Sequence, residues 1–351
     1  MVDTASFLAS LTERRVPGLQ YRAVGPGGPL LEYDGGWADV AHRTAMTRAT
    51  TLMAYSMSKT ITAAAVLQLV AAGAVGLDDP VDRFAPTPYG RDITVRMLLA
   101  HLSGVPNPIP LRWVHPEAQH ARFDERRALG AEMAAHPRLA FPPGTRFRYS
   151  NLGYWLLGEV VAVAAHQRFE TYVVERVLGP LGITAQDLGY AIPTGTPHAN
   201  GYLEKYSFMN LFKGMLIDRE YFGAYEGRWL RIEPHYLNGP AFGGLVGTAS
   251  GFATFLSDQL RPQSSVLAAS ARALFYEPQR TTRGRPVPMT LGWHVGTQHN
   301  RRFFYKEGGG GGFHCEMRLY PEAQVGTVIM TNATGFDVKW CLNVADRQFL
   351  R

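Results

Sequence analysis

Residues 54–63 read AYSMSKTITA, and the placement of Lys59 three positions after Ser56 decides how the rest of the chain is read. The 351 residues include 35 basic ones, yet only Lys59, Lys205, Lys213, Lys306 and Lys339 are lysines. So skewed a ratio looks like a coding bias, and each lysine calls for a reason. The stretch MSKTITAAAVLQLVAA places Ile61, Ala65, Leu69 and Ala72 at helical spacing before Gly73, which predicts a helix over 57–72. Residues three apart share a helix face, so the Ser56 hydroxyl and the Lys59 amine fall within reach of each other. A serine hydroxyl is a poor nucleophile until a base takes its proton, and a helix N-terminus favours developing negative charge. By itself the pair is weak: twelve serines and five lysines in 351 positions give about 0.17 Ser-x-x-Lys pairs by chance.

Composition sets the class. Apolar residues at 46%, charged residues at 18% and aromatic residues at 11% describe a folded globular chain and exclude a disordered one. The first twenty residues carry an early Asp3 and no apolar core of signal-peptide length, and no later run is apolar enough for a membrane span, so a cytoplasmic protein is expected. Cys315 and Cys341 are the two cysteines; they suit a reducing compartment and supply no Cys/His metal spacing, so neither a metal nor another cofactor is expected. The net charge of +6 comes from scattered arginines with no basic stripe interleaved with aromatics, which reads as a solvated surface and not as a nucleic-acid or membrane partner. The oligomeric state stays open.

Strand patterns occupy both ends. GLQYRAV, a GPGGP turn and LLEYDGGWADV cover residues 18–45, while MTLGWHVG, RRFFYK, FHCEMRLY and VGTVIMTN return near the C-terminus. In FHCEMRLY, Phe313, Cys315, Met317 and Leu319 alternate with His314, Glu316, Arg318 and Tyr320, the pattern of a half-buried strand. Helical segments fill the middle, at 92–102, 124–136 and 152–165, and 336–350 reads as a closing helix. The fold class expected is α/β in the α+β sense: an antiparallel sheet built from the terminal segments and flanked by helices, with a mostly helical inserted lobe. One catalytic unit of two lobes follows, residues 1–52 with 286–351 as the sheet lobe and 53–285 as the mainly helical lobe.

Two further motifs join Ser56 and Lys59. PPGTRFRYSNLGYWLLGEVV carries Tyr149-Ser150-Asn151 just before a helix, and FFYKEGGGGGF carries Lys306-Glu307-Gly308 at a strand. Ser-x-x-Lys, Tyr-x-Asn and Lys-x-Gly, in this order, resemble the three boxes of the penicillin-recognising serine hydrolases. With GLDDPVDRFAP, ITVRMLLAHLSGV, LGPLGI, FGGLVGTASGFATFL and GGGFHCEMRLYPE, nearly the whole chain resembles the class C β-lactamase-like superfamily, which includes penicillin-binding proteins, D-alanyl-D-alanine carboxypeptidases, D-aminopeptidases and related carboxylesterases.

The resemblance implies that Ser56 is the acylated nucleophile and Lys59 the cation or base beside it. It makes Tyr149 the general base and acid, a phenolate supported by Lys59 and Lys306. Asn151 would bond the acyl group, and the backbone N–H of Gly309 would join that of Ser56 in the oxyanion hole, with Glu307 and Gly308 beside the substrate. A second Tyr-x-Asn, Tyr236-Leu237-Asn238, lacks the PPGT lead-in and the following helix and reads as a strand, a turn or a cleft wall. His101 matches a structural segment, and no Gly-x-Ser-x-Gly nucleophile elbow occurs.

One position departs from the family pattern. Penicillin-binding relatives usually carry Thr or Ser where this chain has Glu307, and an anion there would repel a substrate carboxylate. Alternation along the strand leaves two orientations: toward the cleft, or away from it and paired with an arginine such as Arg301 or Arg302. The expected activity is hydrolysis of small esters, with β-lactamase, D-aminopeptidase or carboxypeptidase action on amides, or a catalytically silent binding module, as alternatives.

Overall fold

The computed structural model describes residues 3–108, 113–207, 210, 213–216, 218–298 and 300–350. Its centre is a seven-stranded antiparallel sheet made from both ends of the chain. Strands β1 (Gly18–Gly25), β2 (Gly28–Asp39) and β3 (Thr44–Ala45) come first; β4 (His294–Gln298), β5 (Arg301–Gly309), β6 (His314–Tyr320) and β7 (Val325–Thr331) come last. The order is β4-β5-β6-β7-β1-β2-β3, so β1 and β7 join the two ends, with Tyr21 opposite Ile329. Every residue of β1 and β7 is buried, because helices cover both faces of the sheet.

Helices α1 (Thr4–Arg14) and α5 (Val338–Ala345) cover one face, packing Leu8, Leu11, Cys341 and Leu342 against Tyr21 and Ile329. The α1 helix is absent from the sequence reading. Its signals are an N-cap at Asp3, whose carboxylate accepts the Ser6 N–H at 3.0 Å, and the spacing of Leu8 and Leu11. Helix α4 (Ala249–Leu260) lies on the other face, with Phe252, Phe255 and Leu256 in the core that includes Val328 and Met330.

The polar side of β6 is not half-exposed as its alternation suggested. Glu316, Arg318 and Tyr320 are all buried beneath α5 and the turn after it. Arg318 binds Glu316 and donates to Asn343 Oδ1 at 2.8 Å and Gln298 Oε1 at 2.9 Å, while Asp346 accepts from Tyr320 at 2.8 Å and Tyr21 at 3.0 Å. A charged cluster is tolerated in the interior when its members pair and bond each other in this way.

Helix α2 (Ser58–Ala71) begins one residue later than expected, after a 3-10 turn at Tyr55–Met57. It is buried around almost its whole circumference, not along one stripe, since α3 (Asn151–Ala165), the turn Pro240–Gly243 and the helix Ala269–Phe275 surround it. Its run of alanines lets these neighbours approach closely. Helices dominate the middle of the chain, but short strands interrupt them: Gly201–Glu204, Phe222–Glu226 and Trp229–Ile232 form a sheet with Ala333–Thr334, and Val114–Pro116 pairs with His235–Leu237. Strand β4 begins at His294, five residues later than MTLGWHVG suggested.

Candidate active site

The Tyr55–Met57 turn delivers Ser56 to the head of α2, and Lys59 follows one turn on, its Nζ 3.0 Å from Ser56 Oγ. Tyr149 and Asn151 flank the start of α3, whose N-cap Ser150 accepts the Gly153 N–H at 2.9 Å. This cap turns both flanking side chains toward α2. Tyr149 donates its hydroxyl to Ser56 Oγ at 2.7 Å, and Asn151 Oδ1 accepts from Lys59 Nζ at 2.7 Å. Lys59 also donates to the Phe242 carbonyl at 2.6 Å. That carbonyl was not anticipated, because a backbone acceptor leaves no mark in the sequence.

Lys306 stands beside this group without joining its hydrogen bonds. Its Nζ lies 5.3 Å from the centre of the Tyr149 ring and 5.5 Å from that of Tyr154, and it is a buried amine with no hydrogen-bond partner among the described residues. The rings of His101 and His294 flank Tyr149, at 4.4 and 6.2 Å between centres. His101 Nδ1 accepts the Ser150 N–H at 3.2 Å, in keeping with its structural reading.

Burial dominates the electrostatics of the cluster. It pushes Lys306 down to about 7, and with the nearby Lys306 charge it pushes Lys59 well below the ordinary lysine range. Burial likewise pushes the Tyr149 phenol up, against the hydrogen bond to Ser56 and with the Glu307 charge adding to the rise. The expected phenolate is therefore corrected: burial favours the neutral Tyr149 phenol, and it lowers the proton affinity of both lysines, desolvation being the largest cause for each. An uncharged Lys59 has two N–H groups for Asn151 and Phe242 and a lone pair for the Ser56 hydroxyl. His294 is pushed down by burial, then by Lys306 and Lys59.

Gly308 lies against the nucleophile: a Cβ there would come within 2.3 Å of the Ala54 carbonyl oxygen and 2.9 Å of the Ser56 nitrogen. Gly309 and Ser56 both border a small cleft walled by Tyr55, Tyr221, His235, Leu237 and Phe242. Among the described residues no carboxylate or arginine lines it. Glu307 points the other way, as β-strand alternation from inward-facing Lys306 requires, and its carboxylate lies 2.7 Å from His314 Nε2. Its placement beside the substrate is thus corrected, and its partner is a histidine, not Arg301 or Arg302. Tyr236 accepts the Ile192 N–H at 2.8 Å and stacks on His120, while Asn238 contacts His115; neither belongs to the hydrogen bonds around Ser56, and only Leu237 between them borders the cleft.

Both cysteines are free and buried, with Cys315 Sγ 3.1 Å from the Ala54 carbonyl oxygen beneath the Ser56 turn. Among the described residues no helix is long and apolar enough to cross a membrane.

Comparisons with known proteins agree with this architecture. The chain is 28% identical over 180 residues to Protein flp of Staphylococcus aureus, covering 50% of this chain and 35% of that protein. It is 32% identical over 186 residues to Penicillin-binding protein 4 of Amycolatopsis lactamdurans, covering 50% and 46%. The match thus spans less than half the length of these relatives. Among solved structures, the D-amino acid amidase from Ochrobactrum anthropi superposes with a TM-score of 0.79 at 20% identity, covering 98% of this chain and 97% of that one. The penicillin-binding protein homologue from Pyrococcus abyssi superposes with a TM-score of 0.78 at 22% identity, covering 99% and 76%. Residues 5–345 match the Beta-lactamase family, and the chain belongs to that family of serine hydrolases.

Proposed function

We propose that the protein hydrolyses small neutral esters through an acyl-enzyme on Ser56. The observation that carries this reading is the convergence of Lys59 Nζ, at 3.0 Å, and Tyr149 Oη, at 2.7 Å, on one serine hydroxyl. Lys59, as the neutral amine, takes the Ser56 proton as Oγ bonds to the ester carbonyl carbon. The oxyanion forms beside the backbone N–H groups of Ser56 and Gly309. As the carbonyl reforms, the ester C–O bond breaks and the departing alkoxide takes the Tyr149 proton, which the Lys59 ammonium replaces. Water then attacks the acyl carbon with the same groups working in reverse, and the carboxylic acid leaves.

The cleft supports a neutral substrate. Among the described residues its aromatic and aliphatic walls hold no charged partner for a carboxylate or an ammonium, and burial lowers the affinity of His235 for a proton. Amide hydrolysis is the second reading; the protonated Tyr149 phenol, suited to protonating an amine leaving group, and the fold shared with a D-amino acid amidase favour it. Stoichiometric labelling by a fluorophosphonate that is lost in Ser56→Ala, with hydrolysis of p-nitrophenyl acetate lost in parallel, is the expected result. A Ser56→Ala variant retaining about a tenth of the wild-type rate would overturn the assignment.

A further inference from the structure

Strand β5 runs into a tract of five glycines, Gly308 to Gly312; Gly308 lies against the Ser56 backbone, and Gly309 opens the stretch that borders the cleft. Glycine carries the largest conformational freedom of any residue, so this backbone needs support from outside its own side chains. The support stands on the face turned away from Ser56. Glu307 Oε1 lies 2.7 Å from His314 Nε2, and His314 Nδ1 lies 2.5 Å from the Phe336 carbonyl oxygen. Both ring nitrogens of His314 are thus engaged, one by the Phe336 carbonyl and the other by the Glu307 carboxyl. The His314 hydrogen bond holds the Glu307 carboxyl below its ordinary range despite partial burial, and the charges of His314, Lys339 and Arg318 add to this. His314 is also the cross-strand partner of Gly309, and a Cβ on Gly309 would come within 3.1 Å of its ring. One side chain therefore bonds the residue before Gly308, packs under Gly309 and is anchored to the loop at Phe336.

We propose that Glu307 and His314 are positioning residues, a brace that holds the Gly308–Gly309 backbone in register with Ser56 and so governs turnover and not substrate affinity. The proposal rests on the acyl-enzyme reading above and on the Gly309 N–H facing the oxyanion. It also accounts for the departure at position 307: a threonine there, being shorter, would not span to His314 as the glutamate does.

The test is steady-state hydrolysis of p-nitrophenyl acetate, binding of phenylboronic acid and thermal unfolding, in Glu307→Ala, His314→Leu, His314→Gln and the double variant Glu307→Ala/His314→Leu. The boronate reports on the oxyanion contacts because it forms a tetrahedral adduct with the serine. In Glu307→Ala and His314→Leu, kcat should fall by roughly tenfold to a hundredfold, as for a small misplacement of reacting groups, with boronate affinity falling in parallel and KM nearly unchanged. His314→Gln, which keeps an N–H for Glu307, should recover part of the loss, and the double variant should be no worse than the poorer single one. The brace is refuted if Glu307→Ala and His314→Leu keep kcat and boronate affinity within about twofold of wild type, or if lost activity only tracks lost folded protein. Should the His314 variants not fold, Glu307→Ala decides alone, since it alters a half-exposed side chain. Full activity in Ser56→Ala would instead sink the acyl-enzyme reading itself.

Discussion

Lys306 Nζ lies 5.3 Å from the centre of the Tyr149 ring, fully buried and with no hydrogen-bond partner among the described residues. Its proton affinity falls from an ordinary 10.5 to about 7 through burial alone. Between these pH values the unfolded chain holds a proton that the folded chain has released, so this group makes stability rise with pH across the window. Its destabilising charge is fully present below pH 7. Lys306→Met should therefore raise the melting temperature most at pH 6 and much less at pH 10; a melting temperature shifted equally at both would show that the amine does not titrate in this window.

Tyr149 and Tyr236 separate by function. Tyr149→Phe removes the hydroxyl bonded to Ser56 Oγ and should lower kcat for p-nitrophenyl acetate by about 10²–10⁴, the usual contribution of general acid–base catalysis. Tyr236→Phe removes an acceptor for the Ile192 N–H and should act on stability more than on rate. The opposite ranking in steady-state assays would disqualify Tyr149.

Glu307 faces His314 and is not among the residues that line the cleft, so no selection against substrate carboxylates is expected from it. Glu307→Thr should leave the ratio of kcat/KM for nitrocefin to that for p-nitrophenyl acetate within about twofold of wild type, whatever it does to both values together. A selective rise for nitrocefin would place the carboxylate in the cleft after all.

Gly308 has no room for a methyl group, since the nearest obstruction is the Ala54 backbone at 2.3 Å and not a flexible side chain. Gly308→Ala should cost about 1–3 kcal/mol in a denaturant titration, as overpacking does, and should displace the Ser56 turn enough to abolish labelling by a fluorophosphonate. Gly27→Ala, where a Cβ meets nothing within 4 Å, is the control. Normal labelling of Gly308→Ala would mean that the strand and the turn move apart freely.

The local parts of the site were readable because each depends on near neighbours in the chain. Ser56 and Lys59 are one helical turn apart, and Tyr149 and Asn151 flank a serine N-cap, so sequence spacing already set their relative directions. Helix α1 carries legible signals in its Asp3 cap and in Leu8 and Leu11, but its 11 residues make only about three turns, too few for a strong apolar period. The short strands of the middle region were missed for another reason: Gly201–Glu204 and Trp229–Ile232 pair across some twenty-five residues, and pairing at that distance leaves no local period.

The sequence by itself determined the antiparallel sheet shared between the two ends of the chain, the helix behind Ser56, and the order of the three motifs. These follow from periodicity and capping, which act over a few residues. Only the tertiary structure decided which face of β5 carries Glu307, that the Phe242 carbonyl holds Lys59, and that burial lowers the proton affinity of the lysines while raising that of the Tyr149 phenol. Strand alternation leaves two registers equally good until one face is buried, a backbone carbonyl has no letter of its own, and proton affinity is set by burial, which depends on everything that packs around the group.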